Sequence, residues 1–177
     1  MKYAKIFIIL SITMLAAVAI SGCTSSGTNN TPQVSSLKAG LADNPNYKID
    51  IIGGVNTPVT VTYDEIKAMN FTEVDNVTMI NSVGTEKTSD FVGVPMKDIL
   101  AEAGGLPAGN LTITISAADG YGMTYTRDQV EKSLLGFKEN GTALTDNLNK
   151  DSIRMIAPGE PGNMWMKVPT KIVITSA

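Results

Sequence analysis

The chain has 177 residues, with 14 lysines and arginines against 17 aspartates and glutamates, no histidine and a single cysteine, Cys23. Composition therefore excludes Ser-His-Asp and Cys-His catalytic sets and tetrahedral zinc sites. A formal charge of −3 without basic clusters argues against nucleic acid as a partner.

Lys2 and Lys5 precede an uncharged, mostly apolar run from Ile6 to Ile20. That run has the length of a signal-peptide core and is short for a spanning helix. Ile20-Ser21-Gly22-Cys23 follows it and resembles the lipobox of bacterial and archaeal lipoproteins. Residues 1–22 accordingly read as a lipoprotein signal peptide, and Cys23 as the lipidation site. The alternatives are an ordinary secretory signal or an uncleaved anchor with an incidental cysteine. A doubly acylated cysteine buries enough methylenes for stable attachment. The expected location is thus the extracytoplasmic face of the cell membrane, with the membrane as partner. Loss of Lys2 and Lys5 with the leader takes the formal charge from −3 to −5.

Thr24 to Ser36 is rich in Ser, Thr, Asn, Gly and Pro, a composition that buries too little surface to offset chain entropy. Residues 23–44 are read as a flexible tether and 45–177 as one domain with one core. Sequons begin at Asn70, Asn76, Asn110 and Asn140 and mark potential glycan acceptors only.

Within the domain, Tyr47, Ile49 and Ile51 alternate with polar residues and predict a first strand. Val59 to Val61 predicts a second. Thr62-Tyr63-Asp64-Glu65 has capping-box form and opens a short helix through Ile66 and Met69. Val77 to Ile80 predicts another strand. Pro95 stands at the expected first helical position, with Met96, Ile99, Leu100 and Ala103 on one face and Gly104 as the stop. Leu111, Ile113 and Ile115 alternate again, Thr126 to Gln129 forms a third helix cap, and Asn140-Gly141 predicts a hairpin. Ile172 and Ile174 mark a closing strand. Many strands with a few short helices make this a mixed, strand-rich α+β domain.

Three segments in order resemble the molybdopterin-binding domain of the sulfite oxidase family. They are Phe91-Val92-Gly93-Val94-Pro95-Met96-Lys97-Asp98-Ile99-Leu100; then Asp119-Gly120-Tyr121 with Leu134 to Gly141 behind it; then Ile153-Arg154-Met155-Ile156-Ala157-Pro158-Gly159 with Gly162, Lys167 and Ile172 trailing. The resemblance covers about Tyr47 to Thr175. It implies that fold, and a cofactor pocket lined by Asn81, Ser82, Asp119, Gly120, Tyr121, Arg154, Gly159 and Lys167. Each segment also has a scaffold reading as a turn or strand end, and Arg154 reads equally well as an exposed strand residue.

The resemblance breaks at the chemistry. Enzymes of the family bind molybdenum through a cysteine some dozen residues before the Gly-Val-Pro segment; here that position falls near Asn81 or Ser82. Neither supplies the soft thiolate used there. Met164 stands where the family often has an arginine, and only Arg127 and Arg154 remain in the whole chain. No catalytic or metal-ligating residue is therefore assigned, and no cofactor is expected, molybdopterin being the alternative. Asp146, Asn147, Asn149 and Asp151 lack calcium-loop spacing and read as a solvated turn. Trp165, between Met164 and Met166, reads as a packing residue, with an exposed contact patch as the alternative. The expected function is a membrane-tethered, non-catalytic module that binds a small molecule or an envelope protein. Alternatives are an active molybdopterin-dependent oxidoreductase with a non-cysteine metal ligand, and a purely structural envelope protein.

Overall fold

The structure is a computed structural model that describes residues 31–176. Cys23 and the leader reading lie outside the described residues. Two sheets carry the fold. The first runs in the order β2 (Val59–Thr62), β1 (Lys48–Gly53), β10 (Pro169–Ser176), β5 (Leu111–Ala117), β6 (Gly122–Tyr125). The second runs β3 (Thr72–Ile80), β4 (Glu86–Pro95), β7 (Leu134–Glu139), β8 (Thr142–Ala143), with β9 (Arg154–Ile156) also paired to β7. Among the described strands only β1 and β10 pair in parallel, with Ile51 opposite Ile172.

The alternation expected in the first sheet is present. Ile49, Ile51, Ile113, Ile115, Ile172 and Ile174 are fully buried, while Lys48 and Lys171 stand on the exposed face. Strand β7 differs because it is covered on both sides. Leu135 and Phe137 enter the larger core between the sheets, and Leu134 enters a smaller one with Phe91, Ile156 and Trp165. A strand buried on both faces loses the period-two pattern, so its sequence reads as a continuous apolar run.

The helices are α1 (Thr31–Lys38), α2 (Tyr63–Ala68), α3 (Met96–Ala101) and α4 (Arg127–Glu131). The last three are too short to persist alone; burial holds all three, and caps add to it in α2 and α4. Thr62 and Glu65 form the reciprocal capping box that opens α2, and Thr126 and Gln129 form the one that opens α4. Met96, Ile99, Leu100 and Ala103 are buried as their spacing requires. Pro95, however, is the last residue of β4 and the N-cap of α3, with ψ 132°, rather than its first helical residue. Gly93, just before it, is required by packing. A β-carbon there would lie 2.0 Å from the Leu135 carbonyl oxygen.

Helix α1 occupies part of the stretch whose composition reads as tether. Leu37 and Leu41 pack against the larger core, and the Lys38 ammonium lies 5.2 Å from the centre of the Phe71 ring. Contact with the core thus begins ahead of residue 45.

Candidate functional site

Two chain reversals build a cleft at one end of the molecule. The turn between β5 and β6 carries Asp119, Gly120 and Tyr121. Asp119 Oδ1 accepts the Tyr121 amide at 2.9 Å, and Gly120 takes φ 87°, which a glycine adopts without steric cost. Opposite it, Pro161 leads into a 3-10 turn at Gly162–Met164, followed by Trp165, Met166 and Lys167. The phenol of Tyr121 donates to the Asn163 carbonyl at 3.2 Å and ties the two walls together. Ala117, Asp119, Tyr121, Gly162, Asn163, Trp165, Met166 and Lys167 enclose about 220 Å³.

The floor is rigid. Trp165 is 6% exposed, its indole N–H donates to the Glu160 carbonyl at 3.1 Å, and its ring meets Phe91 edge-on at 5.7 Å. Met164 and Met166 turn the other way into the larger core. All three side chains are buried, so the sequence does not make an exposed Met/Trp patch here; packing consumes it. Behind them Tyr125 donates to the Met164 carbonyl at 2.8 Å, and burial pushes its phenol far above the usual range.

Lys167 supplies the one cation lining the cleft, and its ammonium has no hydrogen-bond or ion-pair partner among the described residues. The next residue is strained. Val168 takes φ 46°, an outlier for a β-branched side chain that costs roughly 1–3 kcal/mol. Its amide donates to Ile153 at 2.7 Å and its carbonyl accepts from Ala118 at 3.0 Å, which hold it in place.

The other residues inferred from sequence fall into three groups. Asp119, Tyr121 and Lys167 lie together in the cleft lining, with Gly120 in the turn between the first two. Asn81 and Ser82 sit at the exposed tip of the β3–β4 hairpin, beside the cleft rather than in it. Ile80 forms an isolated bridge to Pro161, and Gly162 packs against the Ile80 carbonyl and the Asn81 α-carbon. The Asn81 carboxamide is spent inside its own turn, accepting from Val83 at 3.0 Å and Thr85 at 2.8 Å. Gly159 lies in an exposed turn, also outside the cleft lining.

Arg154 corrects both of its readings. It is 8% exposed, so it is not a surface strand residue, and its guanidinium does not line the cleft. It donates to the carbonyls of Ser152 (3.2 Å) and Lys150 and lies 3.9 Å from Glu139. Glu139 also accepts from Lys87 at 2.5 Å and Ser89 at 2.9 Å. Burial disfavours the Glu139 carboxylate, yet those hydrogen bonds and the Arg154 charge outweigh it and hold its pKa below the usual glutamate range.

Trp165, Met166 and Asn163 fall within the segment from Arg154 to Lys167 that the resemblance implies as pocket wall, but the sequence does not single them out as cleft residues. A buried tryptophan and methionine carry no signal that separates a cleft floor from ordinary core. The polar loop after β8 is held by its own asparagines. Asn149 Oδ1 accepts from the Asp151 amide at 2.8 Å and Asn147 Oδ1 from the Thr145 hydroxyl at 3.0 Å. Among the described residues no three His, Cys, Asp or Glu side chains cluster to hold a metal.

Comparison with known proteins bears on the same segments. A model of the family described as "Oxidoreductase molybdopterin binding domain" matches residues 36–177. Among solved structures, the sulfane dehydrogenase SoxCD from Paracoccus pantotrophus superposes with a TM-score of 0.62 at 24% identity. That match covers 77% of this chain and 40% of the other, so this chain spans about two-fifths of the length of that relative. No curated protein matches. The molybdenum cofactor that the family binds does not fit the residues present. The hairpin position offers a committed carboxamide and a hydroxyl in place of a thiolate, Arg154 is engaged elsewhere, and Lys167 alone remains for a phosphate.

Proposed function

The chain belongs to the family of oxidoreductase molybdopterin binding domains, of the sulfite oxidase type, and we propose that within it this protein is a membrane-tethered, non-catalytic binding module. The observation that carries this reading is the fate of Arg154. The one arginine available to a cofactor phosphate is turned onto Glu139 and two backbone carbonyls, while the cleft is left with an unpaired Lys167. A cleft with a rigid floor and one unpaired ammonium suits a small anionic or polar solute.

The lipid-anchor reading of Cys23 fits the geometry of the domain. Helix α1 leads in beside Phe71, ahead of β3, and the nine residues of β3 run roughly 30 Å to the hairpin tip beside the cleft. A tether that enters through α1 leaves the cleft at the far end of the domain. Radiolabelled palmitate or mass spectrometry of the mature N-terminus in the native host tests the anchor. A polypeptide that keeps residues 1–22, or lacks acyl mass on Cys23, overturns it. Metal analysis after expression with molybdate tests the rest. Substoichiometric molybdenum is expected, whereas one molybdenum per chain overturns the non-catalytic reading.

A further inference from the structure

A second cleft opens on the other side of the Lys167–Val168 segment, at the start of the parallel pair β1 and β10. It encloses about 340 Å³, and Lys48, Asp50, Asp146, Val168, Thr170 and Lys171 are among its walls. A further hollow of about 300 Å³ shares Asp50 and Lys171 with it and is lined in addition by Ile52, Pro58, Val59 and Thr60, Val59 turning its own side chain toward the larger core. The two adjoin across Asp50 and Lys171 on the exposed face of the first sheet.

Its charges are balanced but not paired. Asp50 stands opposite Lys171 in the parallel register, yet no ion pair joins them. The Thr60 hydroxyl holds Asp50 Oδ1 at 2.6 Å on the far side. The side chains of Lys48, Lys171 and Asp146 make no hydrogen bond or ion pair with any described residue. A free anion would meet two carboxylates here, and a free cation two ammoniums. A sugar would find no stacking surface, because Tyr47, the aromatic residue in the wall, is 3% exposed and donates its hydroxyl to the Pro169 carbonyl. A ligand carrying both charges a few ångströms apart satisfies the whole set. The adjoining apolar hollow gives such a ligand room for one side chain. Val168 adds an independent sign, since a strained residue over-determined by its neighbours is characteristic of ligand clamps.

We propose that this groove binds a small zwitterion of amino-acid or dipeptide size, its carboxylate toward Lys48 and Lys171 and its ammonium toward Asp146 and Asp50. The site is separate from the Lys167 cleft and stands whether or not that cleft binds anything. The test is calorimetric titration of the full chain in detergent with glycyl-leucine, its N-acetylated form and its C-terminal amide. Saturable binding of the free dipeptide is expected, weakened roughly two- to fivefold by blocking either end and by K171Q or D146N, with K167A unchanged. Lys171 is exposed and Asp146 half-buried, and an unaltered melting temperature confirms the fold in both variants. No saturable heat with glycyl-leucine, equal binding of the blocked forms, or loss of binding in K167A would each overturn the proposal.

Discussion

Arg154, on β9, and Lys167, in the segment before β10, are partners in an isolated antiparallel bridge, yet their charges serve opposite ends. Arg154 is buried in a network with Glu139, Lys87 and Ser89 that knits β4, β7 and β9 together. Lys167 is exposed, unpaired and turned to a cleft. A charge enclosed by partners contributes to stability and is unavailable to a ligand. A charge left free contributes little to folding and remains available. Replacing members of each set separates the two roles.

The largest effect is expected where the regions meet. Trp165→Ala removes the cleft floor and the centre of the smaller core, and should cost about 4 kcal/mol in urea denaturation. Arg154→Met leaves the Lys150 and Ser152 carbonyls without their donor and Glu139 without its buried cation. It should cost about 3 kcal/mol, with little change in any ligand bound at Lys167.

The same network predicts acid sensitivity. Because the folded pKa of Glu139 is depressed, its contribution is complete above the ordinary glutamate value of about 4.3 and is lost as pH falls through the folded value. Thermal melts of Glu139→Gln should therefore show a shallower fall of stability below that pH than the parent protein. An equal slope in both would place the acid limb elsewhere. Lys167→Ala should shift stability by no more than about 0.5 kcal/mol at any pH, and a larger loss would show that the cleft lysine is architectural after all.

The comparison also explains what was legible in the sequence. Thr62 with Glu65 and Thr126 with Gln129 specify their helix starts through bonds made within four residues, so local spacing suffices. Asn140-Gly141 does the same for its hairpin, with φ 49° and 76°. The buried faces of β1, β5 and β10 follow from alternation. Strand β7 hides its two-sided burial, since an apolar run has no period to read, and β9 is too short to announce itself. In α1, a polar segment becomes helical where Leu37 and Lys38 find Phe71 and the core, contacts remote in sequence.

By itself, then, the sequence determined the fold class, the order of the motifs and the absence of a thiolate and an imidazole from the domain, because these are set by local bonds, periodicity and composition. Where each charge points was decided only by tertiary structure. Arg154 and Lys167 look interchangeable as cations near a ligand loop until Glu139, 15 residues earlier on another strand, draws one of them into the interior. Long-range electrostatics and the backbone strain at Val168 assign those roles, and neither is written in any short stretch of the chain.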